Sequence, residues 1–382
     1  MKFRSLWRTA PLFASALLLG ATALAQPIRI GVITDRVGAA KAYAEPVLQG
    51  VQFAIQELNA GGGVLNRPIE LQVEDDQGRP DLSASAARKL VDAGAAFILS
   101  ISLTSATQQA QSVTVQTGTP HLTPSNSGDT LTTQIDNPNF WQTGPLASSQ
   151  VATLLAYAKS KAFKRVALVG DNTGLGQLTT QSFKAGIQAQ KIEVVAEEVV
   201  PRGANSADAQ MQRIRAARPD AVFLTGILVP ENTLLLRAYR LQGLKAPLLG
   251  NFNFSTPQYA SVAKGLLDGV AFVDAVDPGK PQAKRFFEAY AKATGSAPQN
   301  VNGYGYDGIM LIADAIRRAG STDKQKVREA MQAVRAFDGV LGAQGSHYGF
   351  QDGKRTGFDV NGLVVRAYEG DRPGRVLHVG TR

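Results

Sequence analysis

Hydroxyl side chains cluster in the sequence just after two predicted strands. Thr104 and Ser105 follow one strand, and Ser125 and Ser127 follow the next. In open parallel sheets, ligands bind beyond the carboxyl ends of the strands, where the first turn of a helix offers unpaired N–H groups. A helix that begins near Thr104 would add such groups to the hydroxyls. The pattern therefore predicts a site that holds a carboxylate without a positively charged side chain.

The same residues also have an ordinary structural interpretation. Thr104 or Ser105 can cap the N-terminus of a helix, and Ser125-Asn126-Ser127 is a typical turn sequence. Spacing gives the binding site and the capping interpretation equal weight, so both stay open at this point.

Patterns for cofactor and metal chemistry are scarce. The sequence has no cysteine, and its three histidines lie far apart, with no partner at metal-ligand spacing; they are His121, His347 and His378. The sequence contains neither a serine-hydrolase elbow nor a P-loop. Gly174-Leu175-Gly176 has Thr179 where a dinucleotide fingerprint requires a third glycine. We predict no cofactor, no metal site and a structural role for each histidine.

Carboxylates offer one further candidate for catalysis. Asp75 and Asp76 are interpreted as a surface pair at the end of a strand rather than as an acid–base pair, because adjacent strand residues point to opposite faces. We therefore predict no catalytic residues and no enzyme activity. An exported hydrolase on the same architecture is the alternative of another class, since a fold alone does not fix a function.

Residues 1–25 are typical of a signal peptide. Lys2, Arg4 and Arg8 form a positive region, an uncharged stretch follows, and Ala23-Leu24-Ala25 is a cleavage signal just before Gln26. The formal charge of +9 falls to +6 without these three basic residues, and the rest are spread out. This distribution lacks the basic stripe with interleaved aromatics that nucleic acids require. We expect an exported, soluble, periplasmic protein that is cleaved after Ala25 and has no lipid anchor.

The 382 residues exceed what one hydrophobic core usually supports, which predicts two domains. Strand-like and helix-like segments alternate from Ile28 to about Val273, with a break at Gly144-Pro145, and this rhythm indicates two parallel sheets covered by helices. Predictions in the first series include a strand at 28–34, a helix at 46–59, a helix capped by Asp81 and a helix at 104–116.

The last hundred residues depart from this rhythm. Three helical segments, 281–294, 304–319 and 322–334, follow one another with hardly a strand between them. Because they cannot form a third α/β domain, we expect the chain to return to the first lobe and to end on the second. The predicted domains are therefore 26–144 plus 274–354, and 145–273 plus 355–382.

The order and spacing of several motifs resemble the leucine/isoleucine/valine-binding protein family, whose members are periplasmic solute receptors of branched-chain amino acid ABC transporters. The resemblance implies an α/β fold of two discontinuous, doubly wound parallel-sheet lobes joined by three hinge strands, the type I periplasmic binding protein fold. The motifs are the strand 28–34, the run Glu57-Leu58-Asn59-Ala60-Gly61-Gly62-Gly63-Val64-Leu65, the strand Leu71-Gln72-Val73-Glu74-Asp75-Asp76, and the later Tyr306-Asp307-Gly308, Phe337-Asp338-Gly339 and Phe358-Asp359.

The resemblance also implies the ligand contacts. In the first lobe, Thr104 matches the hydroxyl that holds a ligand carboxylate, Ser125 and Ser127 match a turn that supplies a backbone group and a hydroxyl, and Tyr43 matches an aromatic lid residue before the first helix. In the second lobe, two tyrosine positions of the family fall at Leu175 and near Leu228. The acid that pairs with the ligand ammonium falls near Phe252.

Phe252 cannot pair with an ammonium, and a buried unpaired charge costs several kcal/mol. Either the alignment shifts by a residue or two, so that Asn251 and Asn253 supply neutral acceptors, or the ligand is an aromatic or aliphatic acid or amide without an ammonium. The resemblance implies that a small solute, an amino acid or organic acid, binds between the lobes of a monomer, which then docks on a membrane permease. A sensing role fits the sequence equally well.

Overall fold

The computed structural model describes residues 26–38, 40–226, 229–347, 349–350, 352–357 and 360–380, without the side chains of Leu175 and Pro257. The predicted signal peptide and Phe358-Asp359 lie outside the described residues. The strands are β1 (Ile28–Thr34), β2 (Ile69–Asp75), β3 (Phe97–Ile101), β4 (His121–Thr123), β5 (Phe140–Gln142), β6 (Arg165–Asp171), β7 (Glu193–Val200), β8 (Ala221–Leu224), β9 (Leu248–Gly250), β10 (Ala271–Asp274), β11 (Val364–Glu369) and β12 (Arg372–Val379). The helices are α1 (Lys41–Ala60), α2 (Pro80–Asp92), α3 (Thr104–Thr117), α4 (Ala147–Ser160), α5 (Gly174–Ala189), α6 (Asp208–Ala217), α7 (Val229–Leu241), α8 (Pro257–Val262), α9 (Pro281–Thr294), α10 (Asn302–Ala319) and α11 (Lys324–Gln332).

Two sheets form the framework. The first is fully parallel, in the order β2-β1-β3-β4-β5, and the second has the order β12-β11-β10-β9-β8-β6-β7. Strands β6 to β10 are parallel, whereas β11 and β12 form an antiparallel hairpin on one edge. The prediction of two α/β lobes is confirmed, with the difference that the second sheet is mixed.

The chain passes between the sheets three times: after β5, after β10 and before β11. The passing segments lie beside one another. Gln142 forms a parallel bridge with Thr356, and Val276 forms one with Gly342. These paired segments connect the two lobes, and the predicted boundaries at 144, 274 and 354 stay a prediction.

Helix α10 packs against α1 of the first lobe, so the tail returns to that lobe. The side-chain amide of Asn302 donates to the carbonyl of Pro46 at 2.7 Å, and the Tyr306 hydroxyl donates to Glu57 at 2.7 Å. The backbones approach so closely that a Cβ on Gly305 would lie 1.9 Å from the Val47 carbonyl oxygen. Glycine is required at this crossing because any larger residue would push the helices apart.

Replacing Gly305 with alanine is therefore expected to lower the free energy of unfolding by about 1–3 kcal/mol, since overpacking a tight helix crossing forces the backbone to shift. Urea unfolding measures this change. Gly61→Ala is the matched control: a Cβ at Gly61 has its nearest neighbours at 3.5 Å, and the residue has a φ of −84°. Equal stability of the two variants would contradict the close approach of α1 and α10.

Several predictions of helix starts and short elements were wrong. Helix α1 begins at Lys41 and not at Pro46; the proline lies inside the helix, in its second turn, where it removes one backbone hydrogen bond. Asp81 does not cap α2; it lies in the first turn, and its carboxylate contacts the Arg79 guanidinium at 2.7 Å. The three-residue β5, the short α8 and the hairpin β11–β12 were not predicted. Within the described residues, no helix is long and apolar enough to cross a membrane.

Candidate functional site

The predicted hydroxyl cluster lies at the carboxyl ends of β3 and β4. Helix α3 begins at Thr104, and its N-cap residue Leu103 makes no side-chain capping bond, so the capping interpretation of Thr104 and Ser105 is wrong. The Thr104 hydroxyl instead donates to the Asn126 side-chain oxygen at 2.9 Å. Ser105 is exposed in the first turn of the helix. The first N–H groups of α3 have no acceptor within the helix and are available to an anion.

Asn126 fixes the loop that carries Ser125 and Ser127. Its side-chain amide donates to the Ser102 carbonyl at 3.2 Å, and its side-chain oxygen also accepts from the Gly128 N–H at 3.0 Å. Its own carbonyl accepts from the side chain of Gln142 at 2.9 Å. The sequence interpretation treated Asn126 as a turn residue, whereas here it ties the ends of β3, β4 and β5 together.

Tyr43 joins this loop to the second lobe. Its hydroxyl donates to the Ser125 carbonyl at 3.0 Å, and its ring lies 6.2 Å from the Phe252 ring in an edge-on arrangement. Burial raises the pKa of Tyr43, so the phenol is protonated at neutral pH and remains a donor. The prediction that Tyr43 precedes the first helix was wrong, because α1 begins two residues earlier.

Gln150 makes polar contacts to both lobes. From the first turn of α4, its amide nitrogen donates to the Ser127 hydroxyl at 3.2 Å, and its amide oxygen accepts from the Phe252 N–H at 3.3 Å. The residue is 8% exposed. Sequence reasoning missed Gln150; the available signal was its position one turn after the Gly144-Pro145 break, on the helix that follows the first crossing.

The second-lobe predictions have a mixed outcome. Phe252 is buried and contacts the first lobe, Leu175 lies in the first turn of α5 with its side chain outside the description, and Leu228 lies outside the described residues. Asn251 is not free to hold a ligand, because its side-chain oxygen accepts from the Asn253 N–H at 3.0 Å and its amide donates to the Gly226 carbonyl at 3.0 Å. Asn253 is half-buried beside it.

A tyrosine from the distant tail completes this region. Tyr304, in the first turn of α10, is fully buried, and its ring lies 5.6 Å from the Phe252 ring. Its hydroxyl has no hydrogen-bond partner among the described residues. Burial raises the pKa of Tyr304 well above its ordinary value, and Tyr43 and Asp274 add to the shift.

Titratable groups elsewhere have structural partners. Asp76 is fully buried, so the prediction of a surface pair was wrong: its carboxylate accepts from the Ser102 hydroxyl at 2.8 Å and from the Gly78 N–H at 2.9 Å. His121 is also fully buried and lies 2.7 Å from the Ser100 hydroxyl. Burial lowers the pKa of His121 to about 3. Both members of this serine–histidine pair are fully buried in the first lobe, where solvent does not reach them.

In the described part of the chain, metal-binding clusters and surface grooves do not provide a better site. Among the described residues, no group of three or more histidine, aspartate or glutamate side chains could hold a metal ion. A groove of about 730 Å³ lies between α9 and α10, but it is lined by side chains of both charges and includes none of the predicted site residues. The strand-end region between the sheets is therefore the candidate site.

The comparisons with known proteins agree with this geometry. The model of the family described as periplasmic binding protein matches residues 27–356. The chain belongs to the periplasmic binding protein family. The predicted family resemblance is confirmed, and the match covers both sheets apart from the β11–β12 hairpin.

Several known proteins are similar to this chain over most of their length. A Leu/Ile/Val-binding protein homolog 3 from Brucella melitensis is 28% identical over 333 residues, 86% of this chain and 89% of the relative. The protein BraC3 from Rhizobium johnstonii, named as Leu/Ile/Val-binding, is 28% identical and covers 82% and 86% of the two chains. The substrate-binding protein LivJ of Streptococcus pneumoniae, solved with isoleucine, has a TM-score of 0.79 at 22% identity, over 92% of this chain and 99% of that one. The structural likeness shows a common fold.

Proposed function

We propose that the chain is an extracytoplasmic solute receptor of an ABC transporter and that it binds a small carboxylate-bearing solute between its two lobes. The observation that carries this proposal is the meeting of both lobes at Gln150, which contacts Ser127 of the first lobe at 3.2 Å and Phe252 of the second at 3.3 Å. Relatives in the family are named as amino acid binding proteins.

The solute carboxylate would bind first to the first lobe. The Thr104 hydroxyl can turn its proton from Asn126 to the ligand, since Asn126 keeps the Gly128 N–H as a donor. Ser127 and the first N–H groups of α3 add further donors. Oriented hydroxyls and helix N–H groups stabilise an anion without a cationic side chain.

Closure would follow from contacts that form only when the lobes meet. The Tyr43–Phe252 ring contact and the Gln150–Ser127 hydrogen bond each join the two lobes. A ligand that adds contacts to both sides shifts the population toward the closed state. The closed monomer would then dock on a membrane permease in the periplasm, after cleavage of residues 1–25. Stimulation of the permease ATPase by the liganded protein tests this partner.

A receptor without enzyme activity fits the site chemistry better than an exported hydrolase does. A hydrolase needs a nucleophile and a base that reach the substrate. The serine–histidine pair at Ser100 and His121 is buried, and the depressed pKa of His121 makes it a poor base. Conversion of any bound solute by the purified protein would support the hydrolase instead.

The experiment that tests the receptor function is a ligand screen. Thermal shift and calorimetry on the mature protein would cover amino acids, amides, and aromatic and short aliphatic acids. We expect at least one carboxylate-bearing solute to raise the melting temperature and to bind with one-to-one stoichiometry. If none of these compounds stabilises the protein, the receptor proposal fails.

Combining Thr104→Ala with Ser127→Ala is expected to weaken binding of the identified solute at least tenfold, because two donors to the carboxylate are removed, each worth about 1 kcal/mol or more. Calorimetry measures the dissociation constant. Ser112→Ala is the control, since its hydroxyl donates to Gln109 within α3, two turns from Thr104. Unchanged affinity in the double variant would remove both hydroxyls from the site.

A further inference from the structure

The wall of the site where the two lobes meet is aromatic. The Phe252 ring lies between Tyr43, at 6.2 Å and an interplanar angle of 79°, and Tyr304, at 5.6 Å and 76°. Both tyrosines belong to first-lobe helices, α1 and α10, whereas Phe252 follows β9. These edge-to-face contacts join the lobes through hydrocarbon surface. A ligand that binds beside these three rings therefore meets an apolar surface.

The polar partners of this wall are all neutral. Within the described residues, the Tyr43 hydroxyl is bonded to a backbone carbonyl, and the backbone N–H of Phe252 and the hydroxyl of Ser127 are both bonded to the Gln150 amide. An ammonium taken out of water needs a carboxylate or several oxygen acceptors. Neither Ile227 nor Leu228, which the structure does not describe, can supply a charge.

The buried carboxylate of Asp274, at the end of β10, is already paired. Asp274, whose charge acts on Tyr304, accepts from the Arg366 guanidinium at 2.9 Å and from the Asn300 side-chain amide at 2.7 Å. Other buried acids that follow strands accept hydrogen bonds from nearby groups: Asp35 from the N–H groups of Val37, Gly38 and Ala40, and Asp171 from Thr173. Asp76 accepts from Ser102 and Gly78 through one oxygen, while its other oxygen is buried without a hydrogen-bond partner among the described residues. The bond to Ser102 places Asp76 near the carboxyl end of β3 in the first lobe, whereas Phe252 follows β9 in the second.

Tyr304 supplies a donor at the same wall. Its phenol is fully buried, and its hydroxyl has no hydrogen-bond partner in the described part of the chain. The raised pKa of Tyr304 keeps the hydroxyl protonated at neutral pH. A buried donor without an acceptor is unfavourable by itself, and a carboxylate oxygen would satisfy it. An ammonium, which has no lone pair, cannot accept its proton.

We propose that the ligand is a small carboxylic acid with an apolar or aromatic body and no ammonium group, and that Phe252 makes this selection. The inference rests on the proposed receptor function, which it narrows from carboxylate-bearing solutes to those without a positive charge. The carboxylate is held by the first lobe and the Tyr304 hydroxyl, while the body packs against Phe252 and Tyr43.

Matched ligand pairs separate this inference from the receptor function. Each pair differs by the ammonium alone: leucine with 4-methylpentanoate, valine with 3-methylbutanoate, and phenylalanine with 3-phenylpropanoate. Calorimetry on the mature protein measures both members. We expect the acid without the ammonium to bind at least roughly a hundredfold more tightly in the pair whose body fits, because the ammonium would be buried without a counter-charge.

Two results would overturn the inference in different ways. If the amino acid of a pair binds as tightly as its partner or more tightly, the selection against ammonium is wrong and the receptor function stands. If no member of any pair binds, and the broader screen of amino acids, amides and organic acids also finds no ligand, the inference fails together with the receptor function.

Two variants test the role of Phe252. Phe252→Glu supplies the missing carboxylate and is expected to improve the affinity for the amino acid of the fitting pair at least tenfold over Phe252→Gln, which has nearly the same shape without the charge. Circular dichroism confirms that both variants fold. Equal amino acid affinity of the two folded variants would overturn the assignment of the selection to position 252.

Tyr304→Phe provides a second measurement that does not depend on a charge at position 252. Removing the hydroxyl is expected to weaken binding of the carboxylate ligand about tenfold, since hydrogen bonds to charged groups are worth about 1.5–3 kcal/mol. Protein stability without ligand should not fall, because the hydroxyl has no partner to lose among the described residues. An unchanged dissociation constant would remove Tyr304 from the site.

Discussion

Replacing Arg366 with methionine is expected to lower the free energy of unfolding by about 3–5 kcal/mol, because the change leaves a buried carboxylate without its counter-charge. Arg366 is 4% exposed and Asp274 is fully buried, with 2.9 Å between their atoms. The other guanidinium nitrogens donate to the carbonyls of Gly374 and Pro373. Methionine keeps most of the apolar stem, so urea unfolding measures the loss of the charge and of these two hydrogen bonds.

The pair also lies where the lobes connect. Asp274 ends β10 at the second crossing, Arg366 belongs to β11, and the Asn300 amide reaches Asp274 from the segment before α10. One carboxylate therefore holds a strand of the second sheet and a loop of the first lobe. The loss of Arg366 should disturb the crossing as well as the core.

The pH dependence of the variant gives a second readout. Burial raises the pKa of Asp274, and Arg366 opposes that shift. Without Arg366 the folded-state pKa rises further above the unfolded value, so stability is present at low pH and is lost as pH rises through the folded pKa. The difference between Arg366→Met and the original protein should therefore shrink between pH 7 and pH 5.

An exposed pair supplies the control for this prediction. Arg213 contacts Glu198 with two bonds of 2.7 Å, and its side chain is 58% exposed. Arg213→Met should cost no more than about 1 kcal/mol, because surface ion pairs are screened by water. If Arg366→Met costs no more than Arg213→Met, the buried pair does not stabilise the fold as argued.

Local patterns in the sequence predicted most of the elements and the grouping of the hydroxyls at the ends of β3 and β4. The strand at 28–34 and the helix at 281–294 match the structure at both ends, because apolar spacing and a proline at the helix start fix them locally. Hydroxyls after β3 and β4 could be grouped because parallel strands place their carboxyl ends at one edge. β5 has three residues, too few to show a periodicity.

The rest of the site depends on contacts between residues far apart in the chain. Tyr304 lies more than 250 residues from Tyr43, and α10 brings it to Phe252 only after the tail has returned to the first lobe. The same limit applies to Asp76. Its buried carboxylate accepts from the hydroxyl of Ser102, which follows β3 and lies 26 residues further along the chain. No local pattern distinguishes these residues from ordinary core or surface positions.

His121 shows how a buried residue without a role in binding can still control stability. Its ring is fully buried, edge-on to Phe140 at 4.9 Å, and each ring nitrogen lies near a hydroxyl, Ser100 at 2.7 Å and Thr114 at 3.2 Å. Hydroxyls can donate to or accept from a neutral imidazole, but neither balances a positive charge. Burial therefore lowers the pKa of His121 from 6.5 to about 3.

The fall in stability between pH 7 and pH 5 is expected to be about 2 kcal/mol larger in the original protein than in His121→Gln. The folded pKa of His121 lies below its unfolded value, so its contribution is fully present above about pH 6.5 and is lost as pH falls toward 3, at about 1.4 kcal/mol per pH unit. Glutamine can bond to both hydroxyls and does not titrate in this range. Urea unfolding at the two pH values measures the fall in stability of each protein. Subtracting one fall from the other removes the contribution of the carboxylates, which both proteins share. An equal fall in the two proteins, or an NMR titration of His121 with a pKa near 6.5, would show that the ring takes up its proton in the folded state and that burial does not hold it neutral.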